Sequence, residues 1–223
     1  MSVLLYYIRR ILVNLSLFII IFWSLTIIAV FLLPPISTLM WARIVRFQSY
    51  SREFIPIDEI SPYLIKAVVM SEDGQFCQHH GVDWDALKIV ISHNKGPNRG
   101  ASTLTMQVAK NMLLWPGRSY LRKALEIPLA LILERVWGKK RILEIYLNTA
   151  EWGDHIFGAE AAARHYFHQP AHSLSQYQAS LLATSLPNPF LRHAARPGHH
   201  QLMLRNIIET RMNSAEEWLT CLK

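Results

Sequence analysis

The chain has 223 residues and is basic, with 23 Lys and Arg against 16 Asp and Glu, a net charge of +7 and a pI near 9.6. A uniformly globular chain is excluded, because residues 11–33 run from Ile11 to Leu33 without a charged side chain, and about 20 apolar residues suffice to cross a bilayer. Nucleic-acid binding is not expected, since no helix-turn-helix, zinc finger or aromatic-basic sheet motif accompanies the charge. A basic domain tethered to a bilayer favours anionic head groups or a phosphate-bearing lipid.

Taken in order, residues 1–10 form a short N-terminal segment carrying Arg9 and Arg10, and residues 11–33 form an uncleaved transmembrane anchor. No Ala-x-Ala cleavage pattern precedes Pro34-Pro35. Arginines lie on both sides of the span, so their count leaves the topology open, but a long C-terminal domain outside is the usual outcome for one early span. Residues 34–55 read as a juxtamembrane linker, with a connecting helix near the membrane over Pro34 to Tyr50 and Trp41 among basic residues. An ordinary linker fits that stretch equally well. Residues 56–223 are long enough for one domain with its own core.

Within that domain Ser61 and Pro62 announce a helix to about Met70, so Glu72 and Asp73 fall where it ends. The carbonyl end of a helix repels carboxylates, which suggests an acid held there for use; a solvated acid pair in a loop is the plainer alternative. Asp83 caps a second helix, with Trp84, Leu87, Val90 and Ile91 along one side. Asn94 to Ala101 is rich in turn formers and reads as a loop. Ser102 is the expected cap of a helix to Leu114, which places Thr103, Gln107 and Lys110 on one stripe with Asn111 beside it.

The helix from Tyr120 to Val136 should kink at Pro128. Arg122 and Glu126 share one of its faces, where the plain expectation is a surface ion pair. Gly138 ends it, and Lys139 to Thr149 begins another. An alanine-rich helix over 159–167, an apolar one over 174–186 and a last one from about His199 to Leu219 complete an all-α domain without recognisable strands. Cys77 and Cys221, far apart, give no framework pattern, and no bridge is expected between them. His79-His80 is a poor metal pair, because adjacent residues seldom converge and no third ligand is placed.

Two carboxylates from separate helices, Glu72 and Glu126, are the minimum equipment for chemistry at an anomeric carbon. Lys110, Arg122 and Lys123 could neutralise a departing phosphate. With Glu72, Asp73, Phe76, His79 and Gly81, then Gly100, Ser102, Thr103, Thr105, Gln107, Lys110 and Asn111, then Arg122, Lys123 and Glu126, then Ile142 to Asn148 and Leu186 to Pro189, the chain resembles the peptidoglycan glycosyltransferases. The resemblance is nearest to the monofunctional transglycosylases and spans five ordered motifs. Met106 stands where the family usually has a glutamine and Gln178 where an acid is expected; the effect of both departures stays open, and Met106 could alter acceptor contacts.

The resemblance implies a mainly helical, lysozyme-like domain of two lobes in a bacterial inner membrane, its catalytic part outside the cytoplasm. It further implies polymerisation of lipid II with lipid-linked nascent glycan, inversion to a β-1,4 bond and release of undecaprenyl diphosphate. By similarity Glu72 is the general base and Glu126 the second carboxylate. Lys110, Arg122 and Lys123 handle the pyrophosphate, while Asp73, Ser102, Thr103, Gln107 and Asn111 bind substrate. A Mg²⁺ on Asp73 stays open, as do other cell-wall synthesis or division proteins as partners. Ser92-x-x-Lys95 is read as coincidence, because the other transpeptidase motifs are absent. The alternatives are a lytic enzyme on the same polymer and a non-catalytic membrane-anchored scaffold.

Overall fold

The computed structural model describes residues 2–32, 34–92, 101–117, 119–214 and 219–222. The expected loop at 94–101, Lys95, Gly100 and the stretch 215–218 of the last predicted helix therefore lie outside the described residues, apart from Ala101. The chain divides into two compact units, Met1–Pro35 and Ile36–Lys223.

The first unit is helix α1 (Ser2–Leu32), in which Leu5–Thr26 is long and apolar enough to cross a membrane. Most of its described side chains lie open, as Phe18 at 67% exposure illustrates. The Ser16 and Thr26 hydroxyls donate to the carbonyls of Leu12 (2.9 Å) and Phe22 (2.8 Å). Hydrocarbon offers no other partner, so such internal satisfaction suits a single-pass anchor.

The second unit opens with α2 (Thr38–Val45), shorter than the sequence suggests because Phe47 turns the chain at φ 55°. Ser37 caps it by accepting from the Met40 amide at 3.3 Å. Far from being free chain, α2 packs against α5 (Leu104–Leu113). Met40 is fully buried, and the Thr38 hydroxyl donates to the Asn111 carbonyl at 3.1 Å.

Two helical groups build the rest. In one, α3 (Pro62–Glu72) packs on α8 (Gln176–Ser185) and α9 (His199–Met212). Leu64, Ala67, Val68, Val69 and Met70 bury most of the α3 surface. Ser61 does not cap this helix: its hydroxyl donates to the Leu174 carbonyl at 2.8 Å, tying the start of α3 to the approach to α8. Gln178 completes a capping box with Ser175, its Oε1 accepting from the Ser175 amide at 3.0 Å. An amide serves there as well as the expected acid would, because the interaction needs only an acceptor.

In the other group, α5 packs on α6 (Tyr120–Thr149). Gly138, at φ 70° and ψ 170°, is the break in α6, and Pro128 is not. Ala124 and Pro128 both face solvent, so the carbonyl that proline leaves unpaired meets water. Helix α4 (Trp84–Ser92) is capped by Asp83, whose Oδ1 accepts from the Ala86 amide at 2.9 Å. The predicted apolar side of α4 is only partly covered, with Trp84 at 48% exposure. Val82, Met106 and Ala130 form a core cluster with Leu87 and Ile127 against it. Met106, at 0% exposure, therefore fills the core and takes no part in acceptor contacts.

Three strands that the sequence did not reveal join these parts: β1 (Ser51–Arg52), β2 (Glu151–Gly153) and β3 (Ile156–Phe157), in the order β1-β3-β2. Elements of two or three residues are too short to display alternation. Helix α7 (Ala159–Phe167) follows from Gly158, whose φ of 87° strains any side chain and whose close approach to the Asn148 carbonyl would crowd one. Cys77 and Cys221 form a disulfide with their Cα atoms 5.4 Å apart, against the expectation of no bridge. Their separation along the chain carried no information about distance in space, because the terminal turn at Thr220–Leu222 packs back onto α6.

Candidate active site

Glu72 is the last residue of α3, and Asp73 follows as its C-cap, so the first helical group delivers the acid pair. The second group delivers Gln107 and Lys110 on α5, and Arg122, Lys123 and Glu126 in the first turns of α6. The two sets meet at Gln107, whose Nε2 donates to Glu72 Oε2 at 3.1 Å. Its Oε1 accepts from the Tyr146 hydroxyl at 3.3 Å.

Glu72 is partly accessible as a residue, but its carboxyl is enclosed. Burial raises its pKa, chiefly against the Gln107 hydrogen bond and the Lys110 charge, which lower it; Asp73 adds a small upward push and Arg192 a downward one. Lys110 is its counterpart in sign. Desolvation lowers its pKa, Glu126 and Glu72 raise it, and the Arg122 and Lys123 charges lower it. Lys110 thus feels both carboxylates at once, and among the described residues its ammonium has no hydrogen-bonded partner. A desolvated cation of this kind is ready to receive an anion.

Glu126 has a different environment. It is 3% exposed, and Arg122 is 9% exposed. The two are paired through Arg122 Nη1 and Glu126 Oε1, and Lys123 Nζ reaches Glu126 Oε2 at 2.9 Å. Lys123 Nζ also donates to Ser102 Oγ at 2.7 Å. The Arg122–Glu126 pair is buried, with Lys123 closing it from the more exposed side, and is not the surface pair that the spacing alone suggests. With Ser102 so engaged, the cap of α5 is Thr103, which accepts from the Met106 amide at 3.1 Å and donates to the Gly81 carbonyl at 2.6 Å.

Asp73, 6% exposed, spends both oxygens on the protein. Oδ2 accepts from the Leu104 amide at 2.9 Å, and His79 Nε2 bonds across the carboxylate at 3.0 and 3.1 Å. It fits poorly as a metal ligand, and among the described residues no group of His, Cys, Asp and Glu is arranged to hold a metal ion. Behind it Lys139 Nζ donates to the His79 carbonyl at 2.8 Å and pairs with Glu134 at 2.6 Å, and Thr105 donates to Glu134 at 2.9 Å. Lys139 also lies 4.4 Å from the centre of the Phe76 ring. These contacts hold the turn after Glu72 against α5.

Of the predicted residues, Gln107 reaches Glu72, Arg122 and Lys123 reach Glu126, Lys110 feels both acids and Ser102 joins through Lys123, whereas Asp73 and Thr103 bond elsewhere and Asn111 is half-buried next to Lys110 in sequence. Sequence reasoning missed Tyr146 and Arg192. Tyr146 lay inside the fourth motif without an assigned role, and Arg192 follows the Leu-Pro-x-Pro segment. The Arg192 guanidinium is held by the Thr184 carbonyl at 2.9 Å while its charge is felt at Glu72.

The sequence model of the Transglycosylase family matches residues 40–213. A protein of Agrobacterium fabrum named biosynthetic peptidoglycan transglycosylase is 52% identical over 200 residues, covering 87% of this chain and 88% of its own. Proteins of the same name from Brucella suis (51%, 85% of each chain) and Rhizobium johnstonii (46%, 96% of this chain and 90% of its own) are similarly close.

Proposed function

The chain belongs to the transglycosylase family and is a peptidoglycan glycosyltransferase with a mainly helical, lysozyme-like domain, and from this premise we propose that Glu72 is its general base. Glu72 takes the proton from the 4-hydroxyl of the acceptor, lipid II, as that oxygen attacks the anomeric carbon of the lipid-linked nascent glycan. The anomeric carbon–oxygen bond to the diphosphate breaks as the new bond forms, so configuration inverts to β-1,4 and undecaprenyl diphosphate leaves. A positioned base contributes on the order of 100- to 10,000-fold.

The observation that carries this reading is the unequal pairing of the two acids. Glu72 has a neutral hydrogen-bond donor and a raised pKa, as a base operating near neutrality needs, whereas Glu126 is bound up with two cations. Lys110 lies between them in the electrostatic sense and is the natural receiver of the departing diphosphate. Arg122 and Lys123 extend the positive charge, Glu126 orients them, and Ser102, Gln107 and Asn111 line the same region. Asp73 and Thr103 act by fixing the start of α5.

Residues 11–33 anchor the enzyme in the bacterial inner membrane, with 1–10 in the cytoplasm and 56–223 outside it. Residues 34–55 connect the anchor to that domain, with Thr38–Val45 already packed on the domain side; other cell-wall proteins would dock on this membrane-bound enzyme. The test is the full-length protein given lipid-linked disaccharide-pentapeptide, with product length read on a gel. Long glycan from the unmodified enzyme and none from Glu72→Gln is expected. Polymerisation by Glu72→Gln at the unmodified rate would overturn the assignment of the base, and release of fragments from mature cell wall without polymerisation would point to a lytic enzyme.

A further inference from the structure

We propose that Tyr146 is a positioning residue for the reaction, acting through Gln107 to aim and hold the Glu72 carboxylate. The inference rests on Glu72 being the base, and it gives Gln107 a task other than contact with substrate. The three residues come from three helices, α6, α5 and α3, and form one chain of hydrogen bonds: Tyr146 hydroxyl to Gln107 Oε1 at 3.3 Å, then Gln107 Nε2 to Glu72 Oε2 at 3.1 Å.

The direction of that chain follows from donor and acceptor chemistry. A carboxamide has one face that only accepts and one that only donates, and an ionised carboxylate only accepts. If Gln107 turned over, its oxygen would face the Glu72 oxygens and its nitrogen the phenol, leaving two acceptors in contact. A phenol that stays protonated selects the other orientation. Tyr146 is 2% exposed, and burial followed by the Glu72 charge pushes its pKa well up, so it remains a donor. Its neighbours Ile145 and Leu147 are fully buried, as are Met106 and Val108 around Gln107, so neither side chain is carried on mobile backbone.

The charged and titratable groups acting on Glu72 are Asp73 beside it, Lys110 from α5, Tyr146 from α6 and Arg192 from the segment after α8. Against these, Gln107 is the neutral donor that favours the ionised carboxylate. Without its hold, the base takes up a proton at a higher pH and loses its aim.

The test compares Tyr146→Phe, Gln107→Met and Glu72→Gln in the full-length enzyme in vesicles with lipid-linked disaccharide-pentapeptide, measuring kcat and KM across about pH 5 to 9. For Tyr146→Phe, kcat at neutral pH should fall about 3- to 10-fold, a net hydrogen bond's worth. The acid limb of its profile should move to higher pH, activity should recover in alkaline buffer, and KM should stay level. Gln107→Met should move the limb the same way and further, and it carries the test if Tyr146→Phe does not fold. A fall in kcat with the acid limb unmoved in both variants would overturn the inference, as would a raised KM for Gln107→Met with an unmoved limb, which marks a substrate contact. Full activity in Glu72→Gln would instead remove the base on which the inference stands.

Discussion

Glu72 at the end of α3 and Glu126 in the second turn of α6 are both enclosed carboxylates near Lys110, yet their surroundings differ in kind. Glu126 meets Arg122 and Lys123 directly, whereas Glu72 meets the amide of Gln107. Direct pairing with two cations makes Glu126 scaffolding for them. At Glu72 burial raises the pKa by more than the neutral donor lowers it, which leaves that carboxylate able to accept a proton. The acid with fewer charged partners is accordingly the one we propose for proton transfer.

The comparison can be broken most directly at Glu72. Glu72→Gln keeps the shape and should lower kcat by about 100- to 10,000-fold, read as polymer formed per enzyme. Glu126→Ala should act first on the fold, because it strands Arg122 in a buried place. A loss of about 3 to 5 kcal/mol in chemical denaturation is expected, the usual cost of breaking a buried pair. Lys110→Met, which removes the cation between the acids, should cost about 100-fold in kcat with little change in folding.

The smallest effect sharpens the contrast by its sign. The folded-state pKa of Glu72 is raised, so its ionised form costs the fold stability. That cost is absent below the carboxylate's ordinary pKa, grows as pH rises toward the folded value and is complete above it. Glu72→Gln should therefore raise the melting temperature at neutral pH, by roughly 1 to 4 °C, and the gain should vanish in acid. Opposite thermal shifts for Glu72→Gln and Glu126→Ala in calorimetry are the expected result; shifts of the same sign would show the two acids to be equivalent.

Much of the helical order was legible. Asp83 was correctly read as the cap of α4, Gly138 as the interruption of α6 and 159–167 as α7. Caps whose hydroxyls found distant partners were not legible. Ser61 turns to the Leu174 carbonyl and Ser102 to Lys123, contacts that span 113 and 21 residues. The hold of Asp73 on the start of α5 was not legible for the same reason, since its partner amide, that of Leu104, lies 31 residues along.

What the sequence determined by itself was everything that depends on neighbours in the chain: the apolar helix long enough for a bilayer, the periodicity of the helices, and the ordered motifs around Glu72, Gln107 and Glu126. Only the tertiary structure decided which side chains face one another. It joined Cys77 to Cys221, aligned three strands too short to show a pattern, and set a neutral amide against one glutamate and two cations against the other. The physical reason is range: helical propensity and hydropathy act over a few residues, whereas burial and electrostatic pairing depend on distances that chain order does not contain.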